Sequence, residues 1–364
     1  MQLLSNDYFA NMGLKEIRGK VEAGERLSFE DGVTLFECPE PLAVGALAHK
    51  VRTRLHDNKA YYVVNQHVNY TNVCINGCVF CAYQREEGQD GTFVLTKEDI
   101  LAKIEGAALS PREIHIVGGC HPKLPLSYFE DVMSSVKDRF PEVVLKCFTA
   151  VEIAHFARLE NTTTLDVLTR LHAAGLDMLP GGGAEIFAES VRSQICPRKS
   201  TADEWLAVHE EAHSIGMKTN CTMLFGHIES QEDRLDHLIR LRESQDRGGG
   251  YTCFIPLPFL TENSQLTIEK PLTGLEELRT IAISRLMLDN IPHIKAYWVM
   301  LGVKQAQAAL KFGADDFDGT VVEEKIGHEA GATSEQGLSH TELQDMIRGC
   351  GCTPVERDGF FNEV

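Results

Sequence analysis

Residues 69–83 read NYTNVCINGCVFCAY and place three cysteines, Cys74, Cys78 and Cys81, within eight positions. The whole chain has 11 cysteines in 364 residues, so an even spread would leave most eight-residue windows with none. Positions i, i+4 and i+7 share one face of a helix, and a free Cys packs as a small hydrophobe, so plain packing is one reading. Against it, Gly77 is a poor residue for a helix interior, and Asn72 and Asn76 favour loops. A zinc site would want a fourth Cys or His in paired spacing, and no second C-x-x-C pair is present. Three thiolates on a loop can hold three irons of a four-iron cluster; electron-transfer clusters take four cysteines, so the fourth iron stays open to a substrate.

Moving outward, short β-branched or aromatic runs alternate with amphipathic stretches from residue 62 onward. The strands expected are 62–68, 113–117, 143–148, 176–179, 218–225, 251–255, 293–299 and 316–321. Helix-start signals lie between them: Thr96 before Asp99, Ser200 before Asp203, Thr273 before Glu276, and Ser339 before Glu342 for a last helix. Strands separated by helices imply a parallel sheet, and eight of them match a TIM-type (β/α)8 barrel; a doubly wound open sheet is the alternative. The organisation expected is a helical extension over 1–60, the barrel over 61–325, and a C-terminal helical segment over 326–364 packed on it. Active sites of such barrels lie at the C-terminal strand ends. The unusual residues fall there: the cysteines after the first strand, Gly118 and Gly119 after the second, Glu152 after the third, Gly226, His227 and Glu229 after the fifth.

Charge limits the partners. Lys and Arg number 35 against 53 Asp and Glu, for a net charge of −18. Such a surface repels nucleic-acid phosphates and anionic lipid. No apolar run approaches the roughly 20 residues of a membrane helix, and the first residues are too polar and acidic for a signal peptide. The expectation is a cytoplasmic protein, in a reducing compartment where the cysteines are thiols, metal ligands or catalytic groups.

The spacing C-x-x-x-C-x-aromatic-C, with Phe80 before Cys81, resembles the radical S-adenosylmethionine (SAM) superfamily. The resemblance implies a [4Fe–4S] cluster on Cys74, Cys78 and Cys81, with SAM chelating the open iron and yielding a 5′-deoxyadenosyl radical on one-electron reduction. It further implies that Gly118 and Gly119 let backbone approach the methionyl amine, that Glu152 binds the amine or ribose, and that Gly226 to Glu229 support the adenine. The usual acid after the glycine pair is absent, and Cys120-His121-Pro122 follows instead.

The segments LPGGGAEIF (179–187), TNCTMLFGHIES (219–230) and QDRGGGYTCFIPLPF (245–259) look like the menaquinone and deazaflavin branch of that superfamily. LMLDNIPHIKAYWVMLG (286–302) and FGADDFDGTVVEEKI (312–326) are most similar to the aminodeoxyfutalosine synthase family. One departure is Tyr70, where that family usually has Pro. The resemblance implies addition of the deoxyadenosyl radical to 3-(1-carboxyvinyloxy)benzoate. Aryl migration and decarboxylation then give 6-amino-6-deoxyfutalosine for menaquinone biosynthesis. A substrate with two carboxylates needs cationic contacts, for which Arg85, His121 and His227 are the candidates. Flavodoxin or ferredoxin would supply the electron. The alternatives are the dehypoxanthine futalosine cyclase, the deazaflavin-precursor synthase, or a non-enzymatic iron–sulfur or zinc protein.

Overall fold

Parallel neighbours need a crossover of a dozen residues or more, and the helices between the β-branched runs supply it. The computed structural model describes residues 6–107 and 109–364. Among these are ten strands: β1 (Lys59–Val63), β2 (Asn65–Asn69), β3 (Glu113–Val117), β4 (Val144–Cys147), β5 (Met178–Leu179), β6 (Lys218–Phe225), β7 (Tyr251–Pro258), β8 (His293–Ile294), β9 (Asp316–Gly319) and β10 (Thr353–Glu356). Strands β2 to β8 form one curled parallel sheet in chain order, and β1 lies between β10 and β9 in a second sheet. An unreversed order excludes a doubly wound sheet, in which the order turns back at a switch point. Helices Asn6–Asn11, Lys15–Ala23, Phe29–Glu37 and Pro41–His56 precede the sheet.

The gap between β8 and β2 is spanned by single bridges instead of a full ladder. Asp316 pairs with Lys295 on one side, and Val322 pairs with Gln66 on the other. Their backbone bonds are Ala296 N to Asp316 O, 2.7 Å, and His67 N to Val322 O, 3.1 Å. The structure is thus a seven-stranded half-barrel that the eighth expected strand closes by these bridges.

Three local expectations are corrected. The first expected strand is two strands that change partners at Val64. Below it β1 pairs with β9 and β10; above it β2 pairs with β3, while Thr320 Oγ1 accepts from Asn65 N at 3.0 Å. The strand expected over 293–299 ends at Ile294, because the chain turns into Trp298–Leu301 so that the buried Trp298 Nε1 can donate to Gly319 O at 2.9 Å. The cap expected at Ser200 falls on Thr201, whose hydroxyl accepts from Glu204 N, while Ser200 Oγ is buried without a partner. The boxes at Thr96, Thr273 and Ser339 form as expected.

An ion network fills the N-terminal half of the barrel. Lys146 Nζ lies 2.6 Å from Glu113, Arg357 Nε 2.5 Å from Asp316, and Lys295 pairs with Asp318. Three cations against three anions balance, which is the condition for burying charge at tolerable cost. Arg357 arrives with the C-terminal segment, whose strand β10 was not foreseen. With this half plugged, the open space lies at the C-terminal strand ends.

Candidate active site

A cavity of about 310 Å³ opens at those ends, lined by residues from every part of the sheet. Cys74, Cys78 and Cys81 line it together, on the loop after β2. The loop is not helical, which removes the packing-face reading. Backbone bonds pin it: Cys74 N to Arg85 O at 3.1 Å, Arg85 N to Asn72 O at 2.8 Å, Ile75 N to Cys120 O at 3.2 Å, and Val79 N to Ile195 O at 3.0 Å. Asn72 holds the far arm through Gly91 O and Phe93 N, the loop role its side chain suggested. Gly77 has φ +61°, the left-handed region that favours glycine, and the tip of the Arg198 side chain occupies the space beside it.

The thiols fit a cluster better than a single ion. Among the described residues, the one set of three ligand-type groups with donor atoms within 4.8 Å of one another is His56, His293 and Asp315. The three cysteines are not drawn to that spacing, whereas thiolates about 2.3 Å from one zinc would be. Burial pushes the Cys78 thiol up to about 12 and raises Cys81. A bound metal supplies the charge that overcomes such a shift. The His56, His293 and Asp315 group sits at the opposite end of the barrel and is a structural ion pair. Asp315 there also pairs with Arg285 through its other oxygen, so its charge is already met by a cation.

Gly118 and Gly119 follow β3 and press on the cysteine loop. A Cβ on Gly119 would lie 2.2 Å from Val73 O and 2.9 Å from Cys74 Cβ; one on Gly118 would lie 2.8 Å from the Tyr70 ring. Cys120 comes next, buried beside Cys74 and accepting from Asn76 Nδ2 at 3.3 Å. Tyr70 donates to Glu152 Oε1 at 2.9 Å and lies 3.1 Å from Gly119 O. Glu152 also accepts from Gly118 N at 3.1 Å, and its other oxygen closes a capping box with Thr149. The carboxylate therefore ties together the ends of β2, β3 and β4 while lining the cavity. Burial raises it to about 7 against those hydrogen bonds.

The remaining sequence candidates lie outside the cavity lining. Gly226 has φ +95° and starts a turn in which Glu229 accepts from Gly226 N, His227 N and Arg234 Nε. Burial alone would raise Glu229, but His227 and Arg234 hold it at about 2. His227 is committed to that carboxylate. Arg85 spends its guanidinium on Ala82 O and Gln84 O, 2.7 and 2.9 Å away. His121 Nδ1 accepts from Lys123 N at 3.1 Å.

Several lining residues had no motif to mark them. Lys199 pairs with Glu185, stands 5.4 Å from the Phe80 ring centroid, and faces Cys78. His67 and His115 also lie outside any motif, whereas Tyr83, Tyr297 and Glu324, which complete the wall, fall within the segments 69–83, 286–302 and 312–326. His67 and His115 had one available signal, inward positions on adjacent strands, which appears only once the register is known.

Known proteins resemble the chain along its length. The radical SAM superfamily matches residues 68–241, and the family described as CofH/MqnC C-terminal region matches 248–363. The aminodeoxyfutalosine synthase of Thermus thermophilus is 45% identical over 353 residues, covering 96% of this chain and 95% of that protein. The cyclic dehypoxanthine futalosine synthase of Halalkalibacterium halodurans is 36% identical over 348 residues, covering 95% and 94%. Among solved structures, methylornithine synthase superposes with a TM-score of 0.75 at 18% identity, covering 93% of this chain and 97% of its own. That likeness concerns the fold. No helix among the described residues is long and apolar enough to cross a membrane.

Proposed function

We infer the function from one premise: the chain belongs to the radical SAM superfamily, with its C-terminal third in the CofH/MqnC family. Within it the chain reads as an aminodeoxyfutalosine synthase. The observation that carries this is 45% identity to such a synthase along nearly the whole length of both chains, against 36% for the cyclase sibling. The substrate we assign is 3-(1-carboxyvinyloxy)benzoate, and the electron would come from a flavodoxin or ferredoxin.

A [4Fe–4S] cluster with SAM supplies, on one-electron reduction, the 5′-deoxyadenosyl radical that adds to the enolpyruvyl double bond. The chain's own residues would do the rest. Cys74, Cys78 and Cys81 would hold three irons, and the bonds that pin their loop fix the thiols before the metal arrives. Gly118 and Gly119 would admit SAM backbone-close, with Glu152 as acceptor for its amine or ribose. Lys199 lines the cavity near Cys78 and stays paired with Glu185. Gly226 and Glu229 would brace the wall from behind. Leu224, Leu257, Phe259 and Met300 keep the lining apolar, which excludes the water that would quench a radical.

The test supplies SAM labelled in the adenosyl ribose with the enolpyruvyl ether, anaerobically and under reduction. Label should appear in one product that also contains the benzoate ring. Label confined to free 5′-deoxyadenosine, with the ether untouched, defeats the reading in favour of the sibling that abstracts hydrogen.

A further inference from the structure

The cavity floor is built by two histidines whose rings no protein group satisfies. His67 and His115 are register partners on β2 and β3, so both project into the barrel from the same level. Their ring centroids are 4.5 Å apart and both line the cavity. His67 is only 7% exposed. Neither imidazole is hydrogen-bonded to any described residue, and His115 Nε2 is buried with no partner. A buried polar atom left unmet is costly, so the pair calls for a polar ligand atom. His209 is equally unmet, but its ring packs 3.9 Å from that of Trp205, away from the cavity.

The charges of the wall say what that ligand is. The lining carries Glu152, Glu185 and Glu324 against one lysine, and Lys199 is already paired with Glu185. Glu152 is engaged by Tyr70, Gly118 and Thr149, and Glu324 by the N–H groups of Ile326 and Gly327. The uncommitted basic side chains of the lining are therefore the two imidazoles, which burial presses toward the neutral form, so that each has one ring N–H to give. Lys146, the register partner of His115, and Lys295 add to the burial that lowers His115, while Asp318, Glu324 and Glu113 near His67 only partly offset the same effect there. The carboxylates near the floor are each paired with a lysine or with backbone N–H groups, so what the floor offers a ligand is its two ring N–H donors.

We propose that His67 and His115 together bind one carboxylate of the substrate, each giving a ring N–H to one of its oxygens. The proposal rests on the synthase reading, whose substrate carries two carboxylates. It adds the place where one of them is held. Rings this close present two donors to one anion, an arrangement that fixes orientation as well as charge.

The experiment uses the reconstituted, SAM-loaded enzyme, with benzoate as the probe and benzamide as its neutral isostere. Calorimetry should show the wild type binding benzoate about tenfold or more tightly than benzamide. His67→Phe and His115→Phe should erase that preference. They should also raise KM for the enolpyruvyl ether about tenfold or more, with kcat lowered by less. Unchanged KM and unchanged benzoate preference in both variants overturn the proposal. Should a variant fail to fold, the wild type still decides: equal binding of benzoate and benzamide overturns it. A wild type that prefers benzoate but makes no adenosylated product from the ether would sink the synthase reading and leave the carboxylate site standing.

Discussion

Substituting Gly119→Ala should abolish cluster loading in a chain that still folds. The added Cβ would lie 2.2 Å from Val73 O, 2.8 Å from Val73 C and 2.9 Å from Cys74 Cβ, where ordinary contact begins at 3.4 Å. Backbone atoms cannot rotate aside as a side-chain tip can. Retreat is also blocked, because Gly119 N is bonded to Thr71 O at 3.0 Å and Cys120 O receives Ile75 N at 3.2 Å. Relief therefore requires the loop to move by about 1 Å at the first cluster cysteine, a misplacement that can cost about a hundredfold in a positioned reaction. Overpacking of this kind costs about 1–3 kcal/mol, small enough for a large domain to remain folded. The assay is iron and sulfide content after anaerobic reconstitution, with 5′-deoxyadenosine yield and a denaturant midpoint alongside. Gly19→Ala is the control, since nothing lies within 4 Å of its Cβ and it sits inside helix Lys15–Ala23. It should load normally and gain about 0.5–1 kcal/mol. Full iron and wild-type SAM cleavage in Gly119→Ala would refute the claim that this contact sets the cysteine loop.

Alanine at Cys74, Cys78 or Cys81 should each lose the cluster by iron analysis, whereas Cys350→Ala, at the far edge of the fold, should keep iron and activity. Tyr70→Phe removes the hydroxyl shared by Glu152 and Gly119, so KM for SAM should rise with the denaturant midpoint lowered by about 1–2 kcal/mol of stability. Lys146→Met leaves Glu113 buried without its closest cation and should cost about 3–5 kcal/mol in urea unfolding. Burial alone would raise Glu113, but Lys146 and Arg357 depress it to about 2 from 4.5. Its folded pKa is below its unfolded one, so its stabilisation is present above pH 4.5 and lost as pH falls toward 2. An acid unfolding curve of Lys146→Met that keeps the wild-type slope in that window would contradict this.

By itself the sequence determined the class of chemistry and the parallel α/β class of the fold. Three cysteines in eight positions with glycine and asparagine between them could hardly be a helix, and alternating strand and helix patterns pointed to a parallel sheet, which the strand order then showed to be barrel-like and not doubly wound. Both patterns are local signals, written in spacing and propensity, and they need no knowledge of the fold. The glycine pair was marked by the family resemblance, and the structure shows the close approach to the cysteine loop that admits no side chain there. The tertiary structure alone decided which polar side chains reach the cavity. Arg85, His121 and His227 sit at strand ends in sequence, yet none lines the cavity: Arg85 Nη1 turns to Ala82 O and Gln84 O, His121 Nδ1 to Lys123 N, and His227 to Glu229. Lys199, His67 and His115 lie in unremarkable runs, and the curl of the sheet points them inward together. The split at Val64 and the closure by Arg357 from the last residues are likewise contacts between distant segments. Inward or outward is fixed by register and by which partner reaches a group first, and no local pattern encodes either.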